Sequence, residues 1–352
     1  MIHAFYSLLP LMVTLVWSVI YILRWTQLNR AQRSVVWYLL ANAVYYSCTS
    51  YYMFHGMLEW IKYPWIFTFY ALEPLLYFII LRYTTKDQGV PKSAYLLMVP
   101  AVAGLFAQAA VPSFFGNMPM LSVMYLITAY VLGMSIWRTL KFRKQILNGY
   151  SDYENRTMRP VRILLYCMVV LSILIFYVNT SPTALVPKPL LYFCWIVGTF
   201  VKFSIYYIFF TYSFTVYDMN KEIGEEPVDP IPNLDRVYLN EDISTDDRIY
   251  RDLTRLMEEE HIYLQQDIKI TDLAKIMGTN RTYLSRYINK NYQLSFSDFI
   301  NINRIQHAEK LMLENPNVSR ISLAVESGYS SVQSFMNNFR KFSGKRADRI
   351  SD

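Results

Sequence analysis

Seven apolar stretches fill the first 217 residues, at roughly 5–23, 35–54, 63–81, 94–111, 118–137, 161–180 and 190–213. About 20 mostly apolar residues are enough to cross the hydrocarbon core of a bilayer as a helix. The chain is 53% hydrophobic and 17% charged, a balance that leans toward membrane. The fourth stretch is interrupted by Pro100 and Gly104. The first has no Lys or Arg ahead of its apolar run and no small-residue cleavage site after it, so it reads as a span rather than a removed signal. The expected fold is all-α, beginning with a seven-helix transmembrane bundle over 1–217.

Charge in the connecting loops sets an orientation. With the N-terminus outside, the inner loops carry thirteen Lys and Arg residues, seven of them between Arg138 and Arg162, while the outer loops carry Lys62 and Lys188. Basic residues stay on the cytoplasmic side. Seven spans then put the C-terminus in the cytoplasm. The outer loops, about 55–62, 112–117 and 181–189, are too short for a folded sensor domain. A stimulus therefore has to enter among the helices, from the lipid, or through a membrane partner protein.

Two ionisable residues lie inside spans, Glu73 in "YALEPLLYF" and Lys202 in "GTFVKFSIYY". Such residues are costly at membrane depth and usually face a partner or a cavity. Both stand about a dozen residues from the outer ends of their spans, roughly 18 Å at 1.5 Å per residue. They are candidates for an intramembrane pair beside a sensing pocket. A static pair that locks two helices is the competing reading.

The three cysteines, Cys48, Cys167 and Cys194, lie in apolar stretches without a CxxC spacing, so neither a disulfide framework nor a zinc site is expected. His261 and His307 are better explained by helix packing than by a metal. No cofactor motif and no phosphate loop appears, which argues against an enzyme.

Residues 218–245 change character. "GEEPVDPIPN" places acidic residues and three prolines in ten positions, a linker composition. From Asp246 a helical pattern returns, with Ile249, Leu253, Leu256 and Met257 on one face. "TDLAKIMGTNRTYLSRYI" follows. Thr271 or Asp272 can cap a short helix with Leu273, Ala274 and Ile276 on its buried face. Gly278 permits a sharp turn. A second helix buries Leu284 and Ile288 and leaves Arg281, Thr282, Ser285 and Arg286 facing outward. That is a helix-turn-helix grammar. It returns in "ISLAVESGYSSVQSFMNNFRK", where Leu323-Ala324, Gly328, Phe335 and Phe339 repeat Leu273-Ala274, Gly278, Leu284 and Ile288. Between the copies one long helix is expected, with Phe299, Ile302, Ile305, Ala308, Leu311 and Met312 as its apolar stripe, ended by Asn315-Pro316.

Two such units, at about 271–289 and 319–342, joined by a long helix that carries Arg304-x-x-x-Ala308 and followed by "GYSSVQSFMNNFRKFSGK", resemble the DNA-binding domain of the AraC/XylS family of bacterial transcription regulators. The resemblance covers 246–352, and with seven spans ahead of it the whole chain is similar to the family's membrane-anchored members. It implies a cytoplasmic double helix-turn-helix domain that places both second helices in successive major grooves of double-stranded DNA. Carried over by position, Arg281, Thr282, Ser285 and Arg286 form the first reader. Ser331, Gln333, Ser334 and Asn337 form the second, with Arg340 and Lys341 on phosphates. The tail departs from the family, with Arg346-Ala347 where Ser/Thr-Pro is usual.

The expectation is a regulator in the bacterial inner membrane that couples a membrane or small-molecule signal, lipidic ligands included, to promoter binding. A homodimer is compatible with this. The alternative is a membrane transporter or enzyme carrying a regulatory DNA-binding tail.

Overall fold

The computed structural model describes residues 2–55, 58–111, 118–153, 156–180, 188–216, 218–219 and 243–343. The acidic linker and the tail from Gly344 lie essentially outside these. The described residues form helices and no strand beyond one isolated bridge. The chain folds as two units. One is Met1–Lys141 with Met158–Asp218; the other is Phe142–Thr157 with Met219–Asp352.

In the first unit every apolar stretch is helical. The elements are α1 (Ile2–Leu23), the short α2 (Arg30–Arg33), α3 (Val35–His55), α4 (Glu59–Thr84), α5 (Val99–Ala110) after a 3-10 run at Lys92–Met98, α6 (Met118–Leu147, of which the part from Phe142 belongs to the second unit), α7 (Arg159–Thr180) and α8 (Lys188–Thr211). Among the described residues three helical segments are long and apolar enough to cross a membrane: Glu59–Thr84, Lys92–Ala110 and Arg159–Tyr177. The apolar parts described for α1 and α8 are shorter, Leu8–Leu23 and Ile196–Thr211.

Aromatic rings fasten α1 to α8. Trp17 meets Phe203 edge-on at 5.6 Å, and the buried Tyr21 hydroxyl donates to the Tyr206 carbonyl. The end of α8 leaves carbonyls without helical partners. Gln32 donates to the Phe210 carbonyl, and Tyr83 to those of Phe209 and Tyr212.

The second unit contains α9 (Ile243–Glu258), α10 (Ile270–Ile276), α11 (Arg281–Tyr292), α12 (Phe296–Glu314), α13 (Arg320–Glu326) and α14 (Val332–Phe342). It has two cores that share one helix. The first half of α12 gives Phe296, Phe299 and Ile300 to a core with Leu253 and Leu256 of α9, Leu273 of α10, and Leu284 and Ile288 of α11. Its second half gives Ile305 and Ala308 to a core with Leu323, Tyr329, Phe335 and Phe339. Each helix-turn-helix thus buries its own apolar face, and α12 sets the spacing between them.

Phe142–Thr157, which the sequence pattern assigns to the first domain, belongs to this second unit. Tyr150 forms an antiparallel bridge with Lys269, and the Ser151 carbonyl accepts from Ser297 Oγ at 3.1 Å and Asn301 Nδ2 at 3.0 Å.

Candidate nucleic-acid interface

The two turns are built alike. Gly278 and Gly328 have φ of +61° and +77°, the left-handed region that a side chain disfavours. The chain reverses there and each second helix begins one turn later. Asn280 caps α11 by accepting from the Tyr283 amide at 2.7 Å, and Ser331 caps α14 by accepting from the Ser334 amide. Leu284, Ile288, Phe335 and Phe339 are fully buried, which fixes the face each helix turns outward.

Two expectations about α10 are corrected. Neither Thr271 nor Asp272 is its N-cap; Lys269 occupies that position, and Asp272 sits three residues on, its carboxylate accepting from the Lys269 amide. Ile276 is 50% exposed, because Met277, four residues after Leu273, takes the core position.

On α11 the expected readers stand where the sequence put them. Thr282 and Arg286 are exposed and Arg281 and Ser285 half-exposed. Asn289 lies one turn further along and donates to the Ser285 carbonyl at 2.7 Å.

On α14 the result is mixed. Gln333 is exposed, and its amide donates to Asn337 Oδ1 at 3.2 Å, which joins two expected readers into one polar ridge. Arg340 is exposed. Ser334 is not available: it is 4% exposed and faces the core, because it falls one residue before Phe335 on the packed side. The hydroxyl of Ser331 is engaged in the cap. Lys341, expected on a phosphate, forms an ion pair of 2.5 Å with Asp298 and so braces α14 against the start of α12.

Three polar residues of α12 that were not expected in the interior turn out to matter. Ser297, Asn301 and Arg304 are at most 1% exposed and follow one another at helical spacings of four and three. Arg304 donates to the carbonyls of Tyr263 (2.6 Å) and Gln265 (2.7 Å) and lies 5.1 Å from the centre of the Tyr329 ring. It ties the strap before α10 to the second turn. Burial pushes its guanidinium below its ordinary value, partly offset by Tyr329, Asp152 and Asp267. The same strap approaches Gly328, where an added Cβ would lie 2.5 Å from the Leu264 carbonyl oxygen. A polar stripe at helical spacing between apolar positions was the signal that could have revealed this. The histidines also come together: His261 stacks on Tyr263 at 5.6 Å, with the His307 ring 6.3 Å from it. Among the described residues no cluster of three or more metal-binding side chains is found.

In the first unit the expected pair is modified. Lys202 donates to Asn42 Oδ1 at 2.8 Å and to the Tyr46 hydroxyl at 2.6 Å, both on α3. Its ammonium also lies 4.6 Å from the centre of the Tyr46 ring. No ion pair joins it to Glu73 among the described residues. Glu73 remains within electrostatic reach, with Oε2 buried and without a hydrogen-bond partner. The neutral acceptors on α3 lie nearer to the ammonium than the carboxylate on α4 does.

Residues 273–349 match the family model described as a helix-turn-helix domain. Curated relatives include proteins named as uncharacterized HTH-type transcriptional regulators of Staphylococcus aureus strains MSSA476, N315 and MW2, each 26% identical over 105 residues. That match covers 30% of this chain and 13% of each relative's length. No solved structure gives a significant match. The C-terminal residues therefore carry a helix-turn-helix domain, and the rest of the chain is not covered by these likenesses.

Proposed function

We propose that this chain is a membrane-bound transcription regulator that reads DNA through α11 and α14 and adjusts that reading to an event at the membrane. The observation that carries the DNA half is the paired turns. Two reading helices, each begun after a left-handed glycine and each presenting polar side chains outward, are spaced by the single helix α12. Arg286 can donate two bonds to guanine, and the Gln333–Asn337 ridge has the donor and acceptor groups that pair with adenine. Arg340 is a phosphate contact, which positions the helix without specifying sequence.

The membrane half rests on the seven apolar helices and on the excess of basic residues in alternate loops. The N-terminus then lies outside and the DNA-reading unit in the cytoplasm of a bacterial cell. Glu73 and the Lys202–Asn42–Tyr46 cluster form the polar site through which a small or lipidic ligand would act. Such a ligand shifts the chain only by binding one of its states better than another.

The test uses the full chain in lipid nanodiscs, incubated with fragmented genomic DNA at moderate salt, beside an Arg286→Ala, Gln333→Ala variant. The expected result is retention of a split site, its parts about one helical turn apart, lost in the variant. Retention without sequence preference, equal for both chains, removes the reading.

A further inference from the structure

Between α6 and α7, the described residues 148–153 and 156–157 are seated in the C-terminal unit. The Gly149 carbonyl accepts from the Ile270 amide at 3.1 Å and the Ser151 amide donates to the Ile268 carbonyl at 3.3 Å, one on each side of the Tyr150–Lys269 bridge. Tyr150 is fully buried. Ser151 meets the polar stripe of α12 through Ser297 and Asn301. The Asp152 carboxylate accepts from Ser330 Oγ at 2.8 Å. Arg156 lies over the Tyr150 ring at 4.4 Å and pairs with Asp267 at 3.2 Å. One short segment therefore touches the strap that enters the first helix-turn-helix, the helix that spaces the two, and the turn of the second.

We propose that this segment is an internal clamp on the DNA-reading unit whose seating and DNA binding oppose each other. The inference rests on the DNA reading proposed above. Ser330 immediately precedes Ser331, the N-cap of α14. The N-terminal end of a reading helix is the part that approaches bases and backbone, and its exposed amides favour an anion. In the seated state the anion beside that end is Asp152. A DNA phosphate arriving there meets a like charge instead of a free helix end. The seat is held by a few hydrogen bonds, each modest against water, a partly exposed ion pair and the burial of Tyr150, so leaving it takes the DNA contacts it makes room for to offset that loss. Because the segment continues directly into α6 and α7, a rearrangement of either helix changes how it is held. This gives a membrane event a covalent route to the DNA-reading unit besides the acidic linker.

The experiment compares the full chain in nanodiscs with Asp152→Asn, with Ser151→Pro, which removes the amide bonded to Ile268, and with Asp247→Asn as a control for net charge. The probe is a short duplex taken from the genomic sequences that the wild-type chain retains. Asp152→Asn is expected to bind roughly fivefold tighter at moderate salt and by less at high salt, with Asp247→Asn unchanged. Ser151→Pro is expected to bind tighter as well, and to expose the Ile270 amide to hydrogen exchange without DNA. In the wild-type chain, DNA is expected to speed exchange at the Ser151 and Ile270 amides. If Asp152→Asn binds no tighter than Asp247→Asn, or if DNA leaves those amides as protected as before, the clamp is overturned while the DNA reading stands. If no chain retains any sequence selectively, the DNA reading fails and the clamp with it. Should Ser151→Pro fail to fold, Asp152→Asn and the exchange data decide.

Discussion

Gly328 and Gly278 occupy equivalent turns but different surroundings, and the same substitution separates them. At Gly278 a methyl group meets only the end of the Arg248 side chain, 3.3 Å away, which can shift by giving up its bond to the Met277 carbonyl. Alanine there is expected to cost about 1–2 kcal/mol, the penalty for a left-handed backbone. At Gly328 the same methyl group would lie 2.5 Å from the Leu264 carbonyl oxygen, so overpacking adds to the left-handed cost and the total should reach about 3 kcal/mol or more. Hydrogen-exchange protection of α14 in the two variants checks the ordering; equal losses would show that the strap gives way. Arg304→Met should cost roughly 3 kcal/mol, since it removes two charge-assisted bonds and leaves the carbonyls of Tyr263 and Gln265 without this donor. His307 gives a pH signature. Burial first, then His261 and Lys310, hold its pKa below the ordinary 6.5, so the unfolded chain takes up that proton more readily than the native one. This contribution is complete above pH 6.5 and is lost as pH falls toward the lowered native value. An acid-side loss of protection in the second unit that is smaller in His307→Gln is the expected result.

At the scale of elements, the proposed reading gives side chains of α11 and α14 different tasks. Arg286→Ala is expected to relax base preference at one position and to cost about 1–3 kcal/mol of binding. Arg340→Ala should instead weaken binding to all sequences evenly and lower the salt slope by about one. Ser334→Ala should leave sequence preference unchanged, because that side chain faces the core; a changed binding motif would show that the helix turns on DNA. The apolar faces of these helices were legible in the sequence because burial repeats at helical period, and Leu284, Ile288, Phe335 and Phe339 all fell where that period puts them. The burial of Ser334 and the ion pair of Lys341 were not foreseen, because polarity alone does not reveal a residue beside a core phenylalanine or a carboxylate forty-three positions away. The spacing of Ser297, Asn301 and Arg304 was legible as a polar stripe, but what it holds was not. Its partners are backbone carbonyls, and carbonyls have no sequence.

Across the whole molecule, the helical positions of the apolar stretches followed from hydropathy alone, while the companions of Lys202 did not. Asn42 and Tyr46 look like ordinary members of α3 until α8 packs against them. If this cluster relays a signal, Lys202→Met should shift the DNA affinity of the full chain in nanodiscs without lowering its yield; unchanged affinity would leave the cluster a static brace. The orientation is checked by labelling single cysteines from either side of sealed vesicles in a chain freed of Cys48, Cys167 and Cys194. A residue placed in the loop between α6 and α7 should react only from the cytoplasmic side, and labelling from outside would reverse the topology.

The seating of Ser151 also has a bearing on biosynthesis. The groups that hold its carbonyl, on Ser297 and Asn301, are translated 146 and 150 residues after it. During synthesis the Ser151 carbonyl must therefore wait for these partners until most of the chain has left the ribosome. A C-terminal piece cut at the acidic linker would carry both helix-turn-helix units but lack one part of its own interior. Such a piece should be less stable than the same unit in the intact chain, and a synthetic peptide of residues 142–157 should restore part of the difference.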